Sequence, residues 1–210
     1  MFRFSNLPAV NYPITCAGMN ERRAVRAFEA VANAMSPGEK ASIRDYWFNH
    51  QNAPSFIIED TFMLEKMFGG VLHVAIGMNV TGEGLAFRFA GRAMHHMTDI
   101  LVETIIAHEI AHAVIRREIQ DGDLPDEEDV LYHQLGADLG PHTEWLEGAV
   151  NRRILSWNDR YDDQLTRDWL NYYVAHGNPP PSRHRLLWVF IVLAGGFVLL
   201  ALLLWWAGMI

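Results

Sequence analysis

The 210-residue sequence predicts an α+β fold in which a small β-sheet packs on helices, followed by a single transmembrane helix at the carboxyl end. Three observations support this prediction. Apolar residues recur at helical spacing in several segments, short β-branched or aromatic segments lie between them, and residues 186–210 form one continuous apolar run. We therefore divide the chain into a compact domain over residues 1–177, a proline-rich basic linker over 178–185 and the apolar run over 186–210.

The first helix is predicted over residues 21–35. Asn20 is a suitable N-cap, and apolar side chains recur three and four residues apart along the segment. Residues 36–39 read Ser-Pro-Gly-Glu, which has the spacing of a capping box with proline at the first helical position. A second helix is therefore expected to begin directly after the first.

The strands are predicted over residues 55–59, 71–76 and 85–89. The last of these alternates, with Leu85, Phe87 and Phe89 expected to face the core and Arg88 to face away from it. Glycines at positions 82 and 84 predict a turn over residues 81–84 between the last two strands.

A long helix with a broad apolar side is predicted over residues 99–119, and it contains the sequence His108-Glu109-Ile110-Ala111-His112. Residues four apart lie on one face of a helix, so the imidazoles of His108 and His112 can converge on one metal ion, for which zinc is the expected identity. Glu109 points far enough around the helix to miss the metal and reach a water molecule as general base. Two buried imidazoles with water or carbonyl partners are the alternative. Zinc is preferred because it also explains Glu109.

A catalytic zinc ion normally takes three protein ligands, so one more is expected downstream. We predict His142, because it follows a Gly-Pro break and opens an apparent helix that continues to Ile154. His133 and Glu144 are the second choices, followed by Glu147 and Asp138. A last helix is predicted over residues 163–174.

This arrangement resembles the SprT-like, or Spartan-type, zinc metalloproteases of the zincin group. The resemblance extends loosely over residues 20–157, and its matching residues are His108, Glu109, His112, Ala113, Gly140, His142, Glu144 and Trp145. It implies a zincin-like domain that hydrolyses peptide bonds, with His108, His112 and His142 as zinc ligands and Glu109 as catalytic acid and base. Zincins bind a substrate peptide along a sheet edge beside the metal, a role that we expect residues 85–89 to fill.

Residues 186–210 contain no charged side chain and would span about 37 Å as a helix, against a hydrocarbon core of about 30 Å. Trp188 lies near one end and Trp205 near the other, where interfacial aromatic residues are expected. Because Arg183 and Arg185 precede the run, the positive-inside tendency would keep the preceding domain in the cytoplasm. The sequence thus predicts a single-pass, tail-anchored membrane protein.

Charge restricts the expected partners. The formal net charge of the whole chain is −8, which opposes binding to phosphate backbones, so nucleic acid is an unlikely partner. A protein or peptide substrate close to the membrane is expected instead. The single cysteine, Cys16, excludes an internal disulfide and suits a reducing compartment.

Three functions follow from the sequence. The first is a membrane-tethered zinc metallopeptidase with Glu109 as general base. The second is a zinc-dependent hydrolase of a non-peptide substrate, which would use the same ligands. The third is a catalytically silent, membrane-anchored module that binds metal and interacts with other proteins.

Overall fold

The computed structural model describes residues 2–3, 11–12, 14–40, 55–68, 71–81, 85–121 and 144–180. We name its helices α1 (Glu21–Ala34), α2 (Gly91–His96), α3 (Asp99–Asp121), α4 (Glu144–Trp157) and α5 (Asp163–His176). A further helical turn begins at residues 37–40. The strands are β1 (Phe2–Arg3), β2 (Asn11–Tyr12), β3 (Ile14–Cys16), β4 (Ser55–Glu59), β5 (Leu64–Phe68), β6 (Val71–Ala75), β7 (Gly77–Thr81) and β8 (Leu85–Ala90).

The chain divides into two compact units, Met1–Asn171 and Tyr172–Ile210, with the boundary inside α5. The sheets, helices α1 to α4 and the start of α5 all belong to the first unit. In the second unit, the described residues finish α5, where the Tyr172 and His176 rings stack with centroids 4.1 Å apart.

The main sheet has four strands in the order β3-β4-β8-β7. Strands β3, β4 and β8 are parallel, and β7 pairs antiparallel with β8 at the edge. Two separate antiparallel pairs, β1 with β2 and β5 with β6, complete the described strands. The three predicted strands are confirmed as β4, β6 and β8, but β1, β2, β3, β5 and β7 were not predicted. Strand β7 lies between β6 and β8 in the sequence, where only a turn was expected.

An aromatic cluster joins α1 to one face of this sheet. The Phe28 ring of α1 packs edge-on against Phe56 and Phe89, with centroids 4.7 and 5.7 Å away, and Phe56 stacks on Phe87 across the β4–β8 pair. All four rings are fully buried. Arg88 lies on the opposite face, where its guanidinium bonds to Glu59. The predicted alternation of Phe87, Arg88 and Phe89 is confirmed, because strand residues alternate between faces.

Predicted caps and long-range ion pairs fix the helices around α3. The Asn20 side chain accepts a hydrogen bond from the Arg23 amide at 3.2 Å, and the Ser36–Glu39 capping box forms in both directions, at 2.8 and 3.2 Å. The Arg23 side chain then reaches from α1 to Asp99 at the start of α3, at 2.6 Å. Helix α1 and the first turn of α3 are thereby tied together.

Helix α4 is held against α3 by a half-buried arginine. Both terminal nitrogens of Arg153 donate to Glu118 of α3 at 2.7 Å, and one also donates to Glu39 at 2.9 Å. Trp157 donates its indole N–H to the same Glu39 carboxylate at 2.9 Å. A two-pronged guanidinium–carboxylate pair fixes orientation as well as distance, so α4 has a defined rotation relative to α3.

The structure corrects one part of the predicted fold class. Of the helices in the described ranges, none is both long and apolar enough to cross a membrane. The longest, α3, has 23 residues but includes seven charged side chains and two histidines, and it packs inside the domain. Residues 186–210, for which the transmembrane helix was predicted, lie outside the described residues. The described residues form an α+β fold, and the predicted single-pass, tail-anchored localisation is corrected because none of their helices could serve as the anchor.

Candidate metal centre

The centre is built on α3, which is buried on most of its sides as its apolar pattern predicts. Ile106, Ile110 and Val114 are almost fully buried, and they fix the rotation of the helix. His108 and His112 project from the same face, with ring centroids 4.7 Å apart and planes at 72°. Their Nε2 atoms approach to 3.0 Å. The predicted convergence of the two imidazoles is confirmed.

Glu147 of α4 faces these two nitrogens. One carboxylate oxygen lies 3.6 Å from His108 Nε2, and the other lies 3.5 Å from His112 Nε2. The Nε2–Nε2 separation is 3.0 Å, and one donor atom from each of the three residues lies within 4.8 Å of the other two. Donors bound to one tetrahedral zinc ion at about 2.0–2.1 Å would lie about 3.3 Å apart, and two histidines with one glutamate are a known catalytic zinc set. These residues therefore fit a zinc ion in both spacing and chemistry.

Asp163, the first residue of α5, contacts the ring nitrogen of His108 that does not face Glu147, and we call this contact the brace on His108. Its Oδ2 lies 3.0 Å from His108 Nδ1, and its side chain is only 4% exposed. Metal-binding histidines commonly donate their second ring N–H to a carboxylate, which fixes the ring orientation and leaves the other nitrogen free to bind. His112 differs, because its Nδ1 is buried and makes no hydrogen bond within the described structure. The two histidines are thus held to different degrees.

The charges in the centre alter two pKa values. Burial opposes protonation of His108, but the hydrogen bond and charge of Asp163, with Glu109 and Glu147 nearby, raise the pKa of His108 to about 9. Burial raises the pKa of Glu109, and Glu147 adds to this effect, while His108, His112 and Arg116 act in the opposite direction. A carboxylate with a raised pKa is better matched to accepting and returning a proton.

Gly77, the first residue of the edge strand β7, makes room for Glu109. A Cβ atom on Gly77 would lie 2.9 Å from both Cγ and Oε1 of Glu109, and 3.0 Å from Cγ2 of Ile105. The first of these separations is closer than real Cβ contacts allow. Strand β7 can therefore approach the Glu109 side chain closely only because residue 77 has no side chain.

Not all of the predicted site residues fall within the described structure. His108, Glu109 and His112 come together as predicted, whereas His142, His133 and Asp138 lie outside the described residues. Glu144 begins α4, and its side chain is likewise outside the description. The described residues instead offer Glu147, a late choice in the sequence analysis, one helical turn beyond Glu144. Asp163 was not predicted as part of the site, because an aspartate at a helix start is more simply explained as a cap.

Comparison with known proteins adds no constraint on the site: no protein-family model, curated protein or solved structure matches the chain.

Proposed function

We propose that this protein is a zinc-dependent metallopeptidase in which His108, His112 and Glu147 bind zinc and Glu109 is the general base. The observation that supports this proposal is the convergence of three donor groups beside the buried Glu109 carboxylate, with the two Nε2 atoms 3.0 Å apart and 3.5 and 3.6 Å from the nearer Glu147 oxygens. Glu109 is not needed to complete a three-ligand set. The SprT-like pattern around His108 and His112 supports the same assignment.

The proposed zinc ion, Glu109 and Asp163 have separate roles in hydrolysis. A bound zinc ion supplies Lewis acidity, which lowers the pKa of a water molecule to about 7 and polarises a substrate carbonyl. The Glu109 carboxylate accepts the proton from the attacking water and returns it to the departing amine. Asp163 keeps the His108 ring in one orientation throughout, through its 3.0 Å contact with Nδ1.

A peptide can be placed beside this centre by the edge of the sheet. Strand β8, which we expected to receive the substrate, is paired on both sides, so it has no free edge. Strand β7 lies at the edge, and Gly77 at its start adjoins Glu109. An extended peptide added to β7 would be held by main-chain hydrogen bonds, with little demand on its sequence. This geometry favours peptides over compact non-peptide substrates.

The test combines metal analysis with proteolysis. The full chain is purified as wild type and as Glu109→Gln, His112→Ala and Glu147→Ala variants, with Glu65→Gln, an exposed carboxylate on β5, as the control. Zinc per chain is measured by mass spectrometry, and cleavage is measured with a library of quenched fluorescent peptides. We expect Glu109→Gln to keep zinc and lose cleavage, the two ligand variants to lose both, and Glu65→Gln to match wild type.

Peptide cleavage that survives Glu109→Gln would disprove the assignment of the base. If the wild type hydrolyses esters or other non-peptide bonds in a Glu109-dependent way but cleaves no peptide, the hydrolase stands and its substrate class is wrong.

A further inference from the structure

One positively charged side chain is placed to act in this centre and has no role so far. Arg116 follows His112 by four residues and Glu109 by seven, so on α3 all three lie along one stripe of the helix surface. Side chains on a helix lean toward its amino end, which inclines Arg116 toward the turn that contains His112. Arg116 also lowers the pKa of Glu109 electrostatically, which places its charge within reach of the base.

The pairing of Arg116 differs from that of three other arginines of the domain. Arg23, Arg92 and Arg153 each contact a carboxylate at 2.6 to 2.7 Å. Arg116 is half-buried, yet within the described part of the chain no carboxylate lies at ion-pair distance from its guanidinium. A partly buried guanidinium has lost some of its hydration, so an anion that reaches it gains more than it would at an open surface.

We propose that Arg116 binds a carboxylate of the substrate, so that the peptidase prefers substrates with a negative charge close to the cleaved bond. This inference rests on the proposed function and assigns its substrate class. The four residues from His112 to Arg116 span about 6 Å along the helix axis, and an extended peptide advances about 3.3 Å per residue. We therefore expect the recognised carboxylate within a few residues of the bond that is cleaved.

The preference is local, because the chain as a whole has a net charge of −8 and repels acidic peptides at long range. Arg116 would have to overcome that repulsion at the site itself. An acidic side chain and the free carboxyl terminus of a peptide present the same chemical group, and the experiment separates them.

The experiment uses the zinc-loaded full chain and matched peptides. One series places Glu, Gln or Lys at each of the positions around the cleaved bond, and each peptide is made with a free and with an amidated carboxyl terminus. For the wild type we expect kcat/KM to be about tenfold or more higher with the carboxylate than with Gln at one position, as for a charge-assisted hydrogen bond. In Arg116→Glu the order should reverse in favour of Lys.

The matched control is Arg22→Glu, which makes the same charge change at an exposed residue of α1. Its neighbour Arg23 contacts Asp99, about 25 Å along α3 from Arg116, so Arg22 lies far from Arg116. The control should keep the wild-type preference. Arg116→Gln, which should lose the preference without reversing it, serves if Arg116→Glu does not fold, and zinc content verifies each variant.

The outcomes separate the two proposals. If the higher kcat/KM requires a free carboxyl terminus, Arg116 recognises the terminal carboxylate. If it persists in amidated peptides, Arg116 recognises an acidic side chain; either result supports the inference. An unchanged preference in the Arg116 variants overturns it. An equal loss of kcat/KM for all peptides in the Arg116 variants, with a shifted pH profile, also overturns it, because Arg116 would then act only through Glu109. Absence of Glu109-dependent cleavage from every wild-type reaction overturns the proposed function itself.

Discussion

Helix α3 and the α4–α5 segment contribute to the metal centre in different ways. Helix α3 supplies His108, Glu109 and His112 within little more than one turn, so their relative positions are set by helix geometry alone. The α4–α5 segment supplies Glu147 and Asp163 from separate helices, and Asp163 lies 55 residues beyond His108. Local geometry cannot place them.

What places them is a set of long-range polar contacts. Arg153 fixes α4 to α3 through Glu118. The buried Tyr161, two residues before Asp163 in the chain, donates its hydroxyl to Glu103 of α3 at 3.3 Å. The candidate centre therefore combines two histidines positioned by one helix with a carboxylate, Glu147, and a supporting contact, Asp163, that other helices bring to it. Substitutions of Glu147, of Asp163 and of the residues that position them should weaken metal binding, most strongly where the residue lies closest to the proposed metal.

The largest effect should follow loss of Glu147. Glu147→Ala removes one of the three proposed ligands, so we expect zinc affinity to fall by more than about 100-fold, beyond the loss typical of a supporting residue. His112→Ala should cost a similar amount. Isothermal titration with zinc, using competing chelators, measures both. If Glu147→Ala binds zinc like the wild type while His142→Ala does not, the third ligand is the one first predicted from the sequence.

Asp163→Asn should have the next largest effect. We expect a loss of about 10- to 100-fold in zinc affinity, because the brace on His108 is weakened while the ligands remain. The same titration measures this loss, with Asp168→Asn, an exposed aspartate of α5, as the control. An affinity equal to that of the wild type would show that the 3.0 Å contact does not tune the metal site.

In the metal-free protein, the contact between Asp163 and His108 should make the free energy of unfolding depend on pH. Because the folded pKa of His108 is raised to about 9 from an ordinary 6.5, the extra stability is fully present below pH 6.5 and is lost as the pH rises toward 9. Urea denaturation in the presence of a chelator measures this change in the free energy of unfolding. Asp163→Asn should flatten the profile, and an identical slope in wild type and variant would contradict the attribution to Asp163.

Gly77→Ala should affect catalysis more than metal binding. The added Cβ would displace Glu109, and a misplacement of about 1 Å can cost on the order of 100-fold in rate. We expect kcat/KM for peptides to fall by about 10- to 100-fold with zinc content unchanged. Gly148→Ala is the control, because its Cβ would come no closer than 3.6 Å to a neighbour. Equal activity in the two variants would show that β7 can move away without consequence.

The smallest effect is expected from Glu39→Gln. Burial raises the pKa of Glu39, but hydrogen bonds from Trp157, Ser36 and Arg153 outweigh it, so the pKa is lowered overall. Its stabilisation is therefore present above pH 4.5 and lost as the pH falls through the folded pKa. We expect Glu39→Gln to lower the free energy of unfolding at pH 7 by about 1–2 kcal/mol, measured by urea denaturation. Zinc affinity should change little, since Glu118 still holds Arg153; a large loss would make Glu39 essential to the position of α4.

The parts of the fold that the sequence predicts are those set by local rules. The Asn20 cap, the Ser36–Glu39 capping box and the alternation in β8 all follow from residues within a few positions of one another. Strand β7 was missed because Gly77 and Asn79 have low strand propensity, and its position depends on pairing with β8. The transmembrane prediction used the apolarity, length and flanking residues of 186–210, which lie outside the described residues, and no helix in the described ranges is both long and apolar enough to cross a membrane.

The sequence by itself determined the positions of His108, Glu109 and His112 relative to one another, because four residues make about one turn of any α-helix. Only the tertiary structure decided which carboxylates join them. Glu147 and Asp163 reach the centre through the rotation of α4 and the start of α5, and those depend on contacts between residues far apart in the chain, which no local spacing encodes.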